Sequence, residues 1–428
     1  MKSVSLASPR HLAGTVKPSR LDGLAETQVL RRLERLQHGS LQLQYRGRVF
    51  NFGQPAGTEG DQPRARITVL DPRFFSEIAF GGSIGAGEAY IQGYWSCDNL
   101  VSLVRLMLRN RAVLEQMESG LAALTGPLQK LFHWVNRNTH EGARRNIAAH
   151  YDLGNEFFRL WLDETMMYSC AVFEPENGEL AGDLHAAQLR RLRRICDKLQ
   201  LSSRDHVLEI GTGWGGFAIF AASHYGCRVT TTTISRQQYE WAEQAVAKAG
   251  LQDRITLLQD DFRDLQGRFD KLVSIEMIEA IGSRLYQDYF RICSGLLKPD
   301  GLMLLQAITI ADQNYAASQR SVDFIQRYIF PGACLPSGEV MNRTVAEQTD
   351  MRLLDLEDIG LHYARTLRCW RDNFFAVIDQ VKQLGYPESF IRMWEFYLCY
   401  CEGAFMERAI SDLQLVYSKP GFTALPVR

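Results

Sequence analysis

The stretch HVLEIGTGWGGFAIF, residues 206–220, decides the fold. Its first five residues predict a short buried strand, and the apolar spacing of Phe217, Ile219, Phe220 and Ala221 predicts a helix. Between them, Gly211, Gly213 and Gly216 predict a tight turn, where a residue lacking Cβ takes positive φ cheaply and lets a ligand reach the main chain. Strand, turn and helix in that order open a doubly wound α/β unit.

The G-x-G-x-x-G spacing makes a nicotinamide dinucleotide the first candidate ligand. The neighbouring residues argue against it. Glu209 stands two residues before the first glycine, and Trp214 occupies the turn where a pyrophosphate would approach. About twenty residues on, where a dinucleotide site needs an acid for the ribose, the chain reads Arg228-Val229-Thr230-Thr231-Thr232-Thr233-Ile234-Ser235. An acidic strand end without a phosphate receptor suits a cationic, phosphate-free nucleoside, and S-adenosylmethionine fits that description.

Outward from this loop, 428 residues allow two or three domains, and a 46% hydrophobic content supplies substantial cores. A net charge of −1 removes any global case for nucleic acid, so none is expected as a partner. The nine cysteines include no C-x-x-C pair, which predicts no metal site, no disulfide framework and a reducing compartment. No apolar run approaches the roughly 20 residues of a membrane span.

Residues 1–24 read as a disordered leader. Residues 25–125 alternate short apolar runs with turns and end in one amphipathic helix, NLVSLVRLMLRNRAVLEQM, which predicts a small α+β accessory domain. A basic, aromatic-bearing connector, 126–150, leads to a catalytic domain of 151–428. A helix over 184–199 carries Arg190, Arg191, Arg193, Arg194 and Lys198; these predict a solvated face, or one drawn to anionic headgroups. Strands at 206–210, 228–233, 255–259, 269–275 and 302–308 alternate with helices, which predicts a mainly parallel sheet.

Together these residues resemble a class I methyltransferase, and more narrowly the cyclopropane-fatty-acyl-phospholipid synthase family. The resemblance rests on AHYDLGNEFF, MMYSCAVF, GWGGFA, TISRQQ, DFIQRYIFPGACLPS and MWEFYLCYCEGAF, colinear from about 150 to 418. It implies that Tyr151 and Ser169 close over S-adenosylmethionine. Gly211 and Gly213 would meet its backbone side, with Glu209 near the sulfonium-bearing amino acid. Thr233, Ile234 and Gln238 would lie at the second strand, and Asp261 and Phe262 beside the adenine.

The family's reaction is methyl transfer to a cis alkene in an acyl chain of a membrane phospholipid. A carbocation results, and bound bicarbonate removes a proton so that a cyclopropane ring closes. Carried over, Cys170, Glu279, Gln306, Ile308 and Tyr363 would hold the bicarbonate. The chain departs from the family at Gln306, where some members present histidine, and at Ala280, beside Glu279, where histidine is common. No histidine lies between His224 and His362. Gln306 can donate a hydrogen bond but cannot titrate.

That departure leaves a methyl- or methylene-branched product as an alternative, and a small-molecule amine N-methyltransferase as a more distant one. Glu276 reads either as a second acid near the cation or as a strand-end cap. Tyr328, Phe330, Trp394, Phe396, Tyr397 and Phe405 read as acyl-channel aromatics or as core. The protein is expected in the cytoplasm, peripheral at the inner face of the membrane. Docking would run through its N-terminal domain and the connector around Phe132, Trp134, Arg137, Arg144 and Arg145. A homodimer stays open.

Overall fold

A computed structural model describes residues 17–54, 62–119 and 153–424. The connector of 126–150 and Tyr151 lie outside the described residues. The chain forms two units, and residues 387–396 belong with the N-terminal one rather than with the catalytic domain expected over 151–428.

In the N-terminal unit, helix α1 (Arg20–Leu33) begins inside the stretch expected as a leader. A capping box starts it: the Asp22 N–H donates to Ser19 Oγ at 3.1 Å, and the Ser19 N–H donates to Asp22 Oδ2 at 2.8 Å. Ala25, Val29 and Leu33 then share its buried stripe. Strands β1 (Ser40–Tyr45) and β2 (Arg48–Gly53) form a hairpin through Arg46 and Gly47, whose φ values of 49° and 74° are those of the tight turns that match strand twist. β3 (Arg64–Val69) pairs parallel to β1, and β4 (Trp95–Cys97) closes the order β2-β1-β3-β4.

Two helices differ from expectation. The run FFSEIAFGGSIGAGEAYI is helix α2 (Arg73–Ile91), kinked at Gly82 with φ 58° and ψ −135°. The single amphipathic helix expected from residue 99 is two, α3 (Leu100–Arg109) and α4 (Arg111–Ser119). The break falls at buried Asn110, whose Oδ1 accepts from the Gln37 and His38 N–H groups at 2.8 and 3.1 Å and draws the backbone out of helical geometry.

The catalytic unit is built on a seven-stranded sheet. Its strands are β5 (His206–Ile210), β6 (Arg228–Thr232), β7 (Ile255–Leu258), β8 (Phe269–Ile275), β9 (Leu297–Ile310), β10 (Arg352–Asp358) and β11 (Ile410–Ser418). They lie in the order β10-β11-β9-β8-β5-β6-β7. All run the same way except β11, which pairs antiparallel to both β9 and β10. This is the doubly wound, mainly parallel sheet expected from the sequence.

Alternation along the strands feeds two cores. Leu208, Leu272, Met303, Leu305 and Tyr417 meet Tyr289 and Phe290 in one. In the other, Val207, Val273, Leu304 and Val416 meet Phe217, Phe220 and Ile195. Each fully buried side chain of this size contributes about 1.5–3 kcal/mol. The sheet is thereby a rigid platform for the loops at its strand ends.

Helix α5 (Leu184–Lys198) corrects the charge reading. Arg191 is fully buried and Lys198 is 3% exposed, so neither lies on a solvated face. Lys198 Nζ bridges Asp355 and Glu357 at 3.0 and 2.8 Å, Arg194 pairs with Glu357, and Arg190 with Glu174 at 2.7 Å. Only Arg193 of the five is exposed. The charges dock the helix to strand β10 and leave little for headgroups. Among the described residues, no helix is long and apolar enough to cross a membrane.

Candidate functional site

The glycine loop follows β5. Gly211, Gly213 and Gly215 have φ values of 106°, 52° and 91°, all in the region that favours glycine. A Cβ at Gly213 would meet no heavy atom within 4 Å, so its surface is open to a ligand. At Gly216 it would strike Met167 Sδ and Thr165 O, both at 2.6 Å. Gly216 therefore serves packing, and Gly215 is the residue that turns the chain into the helix Gly216–Tyr225. Trp214 is folded inward: it packs on Phe158 at 5.0 Å between ring centroids, and its Nε1 donates to Asn155 Oδ1 at 2.8 Å. Asn155, from the HYDLGN motif, also donates to Gln237 O at 3.2 Å.

Glu209, at the end of β5, is 2% exposed. Thr231 donates to its Oε2 at 2.6 Å, and burial pushes its carboxyl up to about 8, against the pull of Thr231 and Arg191. A buried carboxyl in that state is poised to ionise when a cation arrives. On the neighbouring strand end, Thr233 Oγ1 donates to Gln238 Oε1 at 2.9 Å, and Ile234 is partly exposed beside them. Asp261 is bound twice by Arg263 at 2.7 Å, and Phe262 packs edge-on to Tyr289 at 5.5 Å. Ser169 is buried, and its Oγ has no hydrogen-bond partner among the described residues. Open glycine backbone, a buried acid, an unsatisfied hydroxyl and an absence of basic groups on the loop itself fit S-adenosylmethionine.

A second cluster lies where β8 and β9 end and β11 begins. Glu276 follows β8 in a left-handed conformation, φ 49°, which costs a non-glycine residue energy and aims its side chain inward. Its Oε1 accepts from the Cys170 N–H at 2.8 Å and from Gln306 Nε2 at 2.7 Å, and its Oε2 accepts from the Tyr363 hydroxyl at 2.6 Å. Gln306 Nε2 spends its other hydrogen on Asp412 Oδ2 at 2.9 Å, while its Oε1 accepts from Gln414 at 3.1 Å. Tyr363 is held by a stack on Phe405, with centroids 4.4 Å apart.

Glu279 stands on the short helix Ile278–Ile281. Its Oε1 accepts the Ile308 N–H, and its Oε2 has no partner among the described residues. Burial, then the adjacent Glu276 charge, pushes this carboxyl up to about 8. Asp412 is pushed well above the usual range by burial and by both glutamates. Burial also raises Glu276, but Tyr363, the Cys170 N–H and Arg191 favour its ionised form. Burial thus biases both acids toward the neutral form, and the three donors to Glu276 oppose that bias there. Cys170 is fully buried and its thiol is pushed up strongly, so it is a neutral packing group whose N–H does the binding.

The five positions carried over for bicarbonate do come together here, yet their donors are engaged. Cys170 N–H, Tyr363 OH and the Gln306 amide serve Glu276 and Asp412, and Ile308 N–H serves Glu279. Among the described residues, the donors here are filled and the groups left over are carboxyls, which do not fit bicarbonate. Sequence reading missed Asp412, Gln414 and Arg191. The signal was present in the first two: polar side chains at alternate positions of the otherwise apolar strand ISDLQLVYS. Among the aromatics, Trp394 and Phe396 belong to the N-terminal unit, where Trp394 stacks on Phe390 at 5.6 Å and Phe396 packs on Tyr90 at 5.8 Å.

The profile of the mycolic acid cyclopropane synthetase family matches residues 138–415. The chain is 40% identical over 382 residues to the tuberculostearic acid methyltransferase of Mycobacterium tuberculosis, covering 87% of each chain. It is 36% identical over 358 residues to the cyclopropane-fatty-acyl-phospholipid synthase of Escherichia coli, covering 83% of this chain and 88% of that one. A mycolic acid cyclopropane synthase complexed with SAH and CTAB superposes with a TM-score of 0.59 at 30% identity, over 64% of this chain and 98% of the other. The chain belongs to the mycolic acid cyclopropane synthetase family and is an S-adenosylmethionine-dependent methyltransferase of the cyclopropane-synthase type that acts on lipids.

Proposed function

We propose that this protein methylates the cis double bond of an unsaturated acyl chain carried by a membrane phospholipid, and that ring closure to a cyclopropane follows. The observation that carries the reading is the buried Glu276–Tyr363–Gln306–Asp412 cluster, a proton acceptor in a site shielded from water. S-adenosylmethionine, when bound, supplies an electrophilic methyl group. An isolated alkene is a weak nucleophile, so the protein's part is alignment and exclusion of water. Gly211 and Gly213 offer bare backbone, Glu209 answers positive charge, and Ser169, Thr233, Gln238, Asp261 and Phe262 supply hydrogen bonds and a ring face, with Tyr151 assigned by family resemblance. The cation left on the acyl chain then loses a proton from its new methyl group.

One finding favours a second reading, a methyl- or methylene-branched product: the relative with 40% identity is a tuberculostearic acid methyltransferase. The two products diverge after the same cation. Peripheral attachment to the inner membrane face is proposed with the substrate, since the acyl chain must leave the bilayer.

The test is expression in a host that makes cis-monounsaturated phospholipids and lacks a synthase of its own, followed by proton NMR of the fatty-acid esters. High-field ring protons are expected. Vinylic methylene signals would move the protein to the branching reading, and an unchanged profile would remove acyl chains as the substrate.

A further inference from the structure

Glu276 is over-determined for a strand-end cap. Three donors from three separate segments, Cys170, Gln306 and Tyr363, converge on its carboxylate. Its own N–H donates to Gln306 O at 2.8 Å, continuing the β8–β9 pairing, and Glu276 itself takes φ 49°. Strain of this kind persists only where surroundings impose it, and it concentrates at functional sites. The residue as a whole is partly exposed, while its carboxylate is enclosed by these donors.

The charges around it are complementary to a base. Buried Arg191 attracts it, the Gln306 amide bridges it to Asp412, and burial biases Asp412 and Glu279 toward the neutral form. Among the described residues, no histidine is bonded to it. The same donors are those that family resemblance assigns to a free anion, and here they are already satisfied by a covalently attached carboxylate.

Resting on the acyl-chain reading above, we propose that Glu276 takes the place of bicarbonate and is itself the catalytic base. The C–H bond of the added methyl breaks and the proton passes to a Glu276 oxygen. The C–H electron pair closes the third side of the ring at the cationic carbon; in the branched alternative, after a hydride shift, it forms the methylene double bond. Glu276 then returns its proton to solvent. No second anion is required, and carbon dioxide dissolved in the buffer is irrelevant to turnover.

The first test is independent of turnover: titration of the wild-type protein and of E276G with 13C-bicarbonate, followed by NMR line broadening. E276G relieves the positive φ and vacates the carboxylate's place, so it is expected to bind bicarbonate where the wild type does not. Bicarbonate binding by the wild type overturns the proposal. The second test is turnover on vesicles of unsaturated phospholipid in carbon dioxide-free buffer. Wild-type rates are expected to hold with or without added bicarbonate, E276Q to fall about 10²-fold or more with S-adenosylmethionine affinity within twofold, and E276G to be partly rescued by bicarbonate. Wild-type dependence on bicarbonate, or E276Q within threefold of wild type, overturns the proposal. If the wild type forms no product on any lipid while the binding result holds, the acyl-chain reading fails and Glu276's occupancy of the anion place stands.

Discussion

The Thr231 hydroxyl donates to Glu209 Oε2 at 2.6 Å and in turn sits 2.7 Å from the Thr212 hydroxyl, so a chain of hydroxyls ties the second strand to the loop through one buried carboxyl. This relationship makes cofactor binding a proton-linked event. Burial pushes the Glu209 carboxyl up to about 8 from an ordinary value of 4.5.

From about pH 4.5 to 8, the folded protein holds a proton on Glu209 that the unfolded chain has lost. That contribution to stability is complete below the ordinary value and disappears as pH rises through about 8. A bound cation reverses the preference, so S-adenosylmethionine should bind with release of up to one proton at pH 7 and more tightly at pH 8 than at pH 6. Calorimetry in buffers of different ionisation enthalpy measures this. T231V, by removing a donor to the carboxylate, should displace the proton release to higher pH.

E279Q alters the acid beside the proposed base Glu276 and should lower turnover by about tenfold or more while leaving S-adenosylmethionine affinity within twofold. The Glu279 carboxyl touches the Ile308 N–H and has one open oxygen, and neither lies on the glycine loop. Equal losses of turnover and affinity would place Glu279 in the cofactor site instead.

Y363F removes the hydroxyl at 2.6 Å from Glu276 and keeps the stack on Phe405. The ionised form of Glu276 loses a donor, so the acid limb of the pH–rate profile should move to higher pH. The loss of folding stability should stay near 1–3 kcal/mol, the cost of an unpaired buried group. Thermal unfolding and the rate profile together check both halves.

The two loop glycines should separate packing from binding. G216A brings a methyl group against Met167 and Thr165 and should cost about 1–3 kcal/mol of stability, as overpacking does. G213A meets no protein atom, but it imposes positive φ on alanine and covers open backbone. It should weaken S-adenosylmethionine binding with a smaller change in melting temperature. Calorimetry beside thermal unfolding distinguishes them.

The five mutually parallel strands were legible because strands buried on both faces are rich in apolar residues, as in Leu272-Val273 and Leu302-Met303-Leu304-Leu305. β10 was not, since Arg352-Leu353-Leu354-Asp355-Leu356-Glu357 interleaves exposed leucines with acids that neutralise Lys198 and Arg194. Arg191 could not be told from its exposed neighbours by composition; only the helix's docking buries it. The glycine loop and Glu279 were legible by motif. The role of Glu276 was not, because the sequence shows an acid at a strand end and does not show three donors arriving from residues 106, 30 and 87 positions away.

Strand β11 lies between β9 and β10, although it follows both in sequence. During synthesis the sheet must therefore wait, with one side of β9 unpaired, until residues 410–418 emerge. Asp412 and Gln414 arrive with them. A nascent chain can have shaped its glycine loop long before this, but it cannot yet possess Asp412, which shares the Gln306 amide with Glu276.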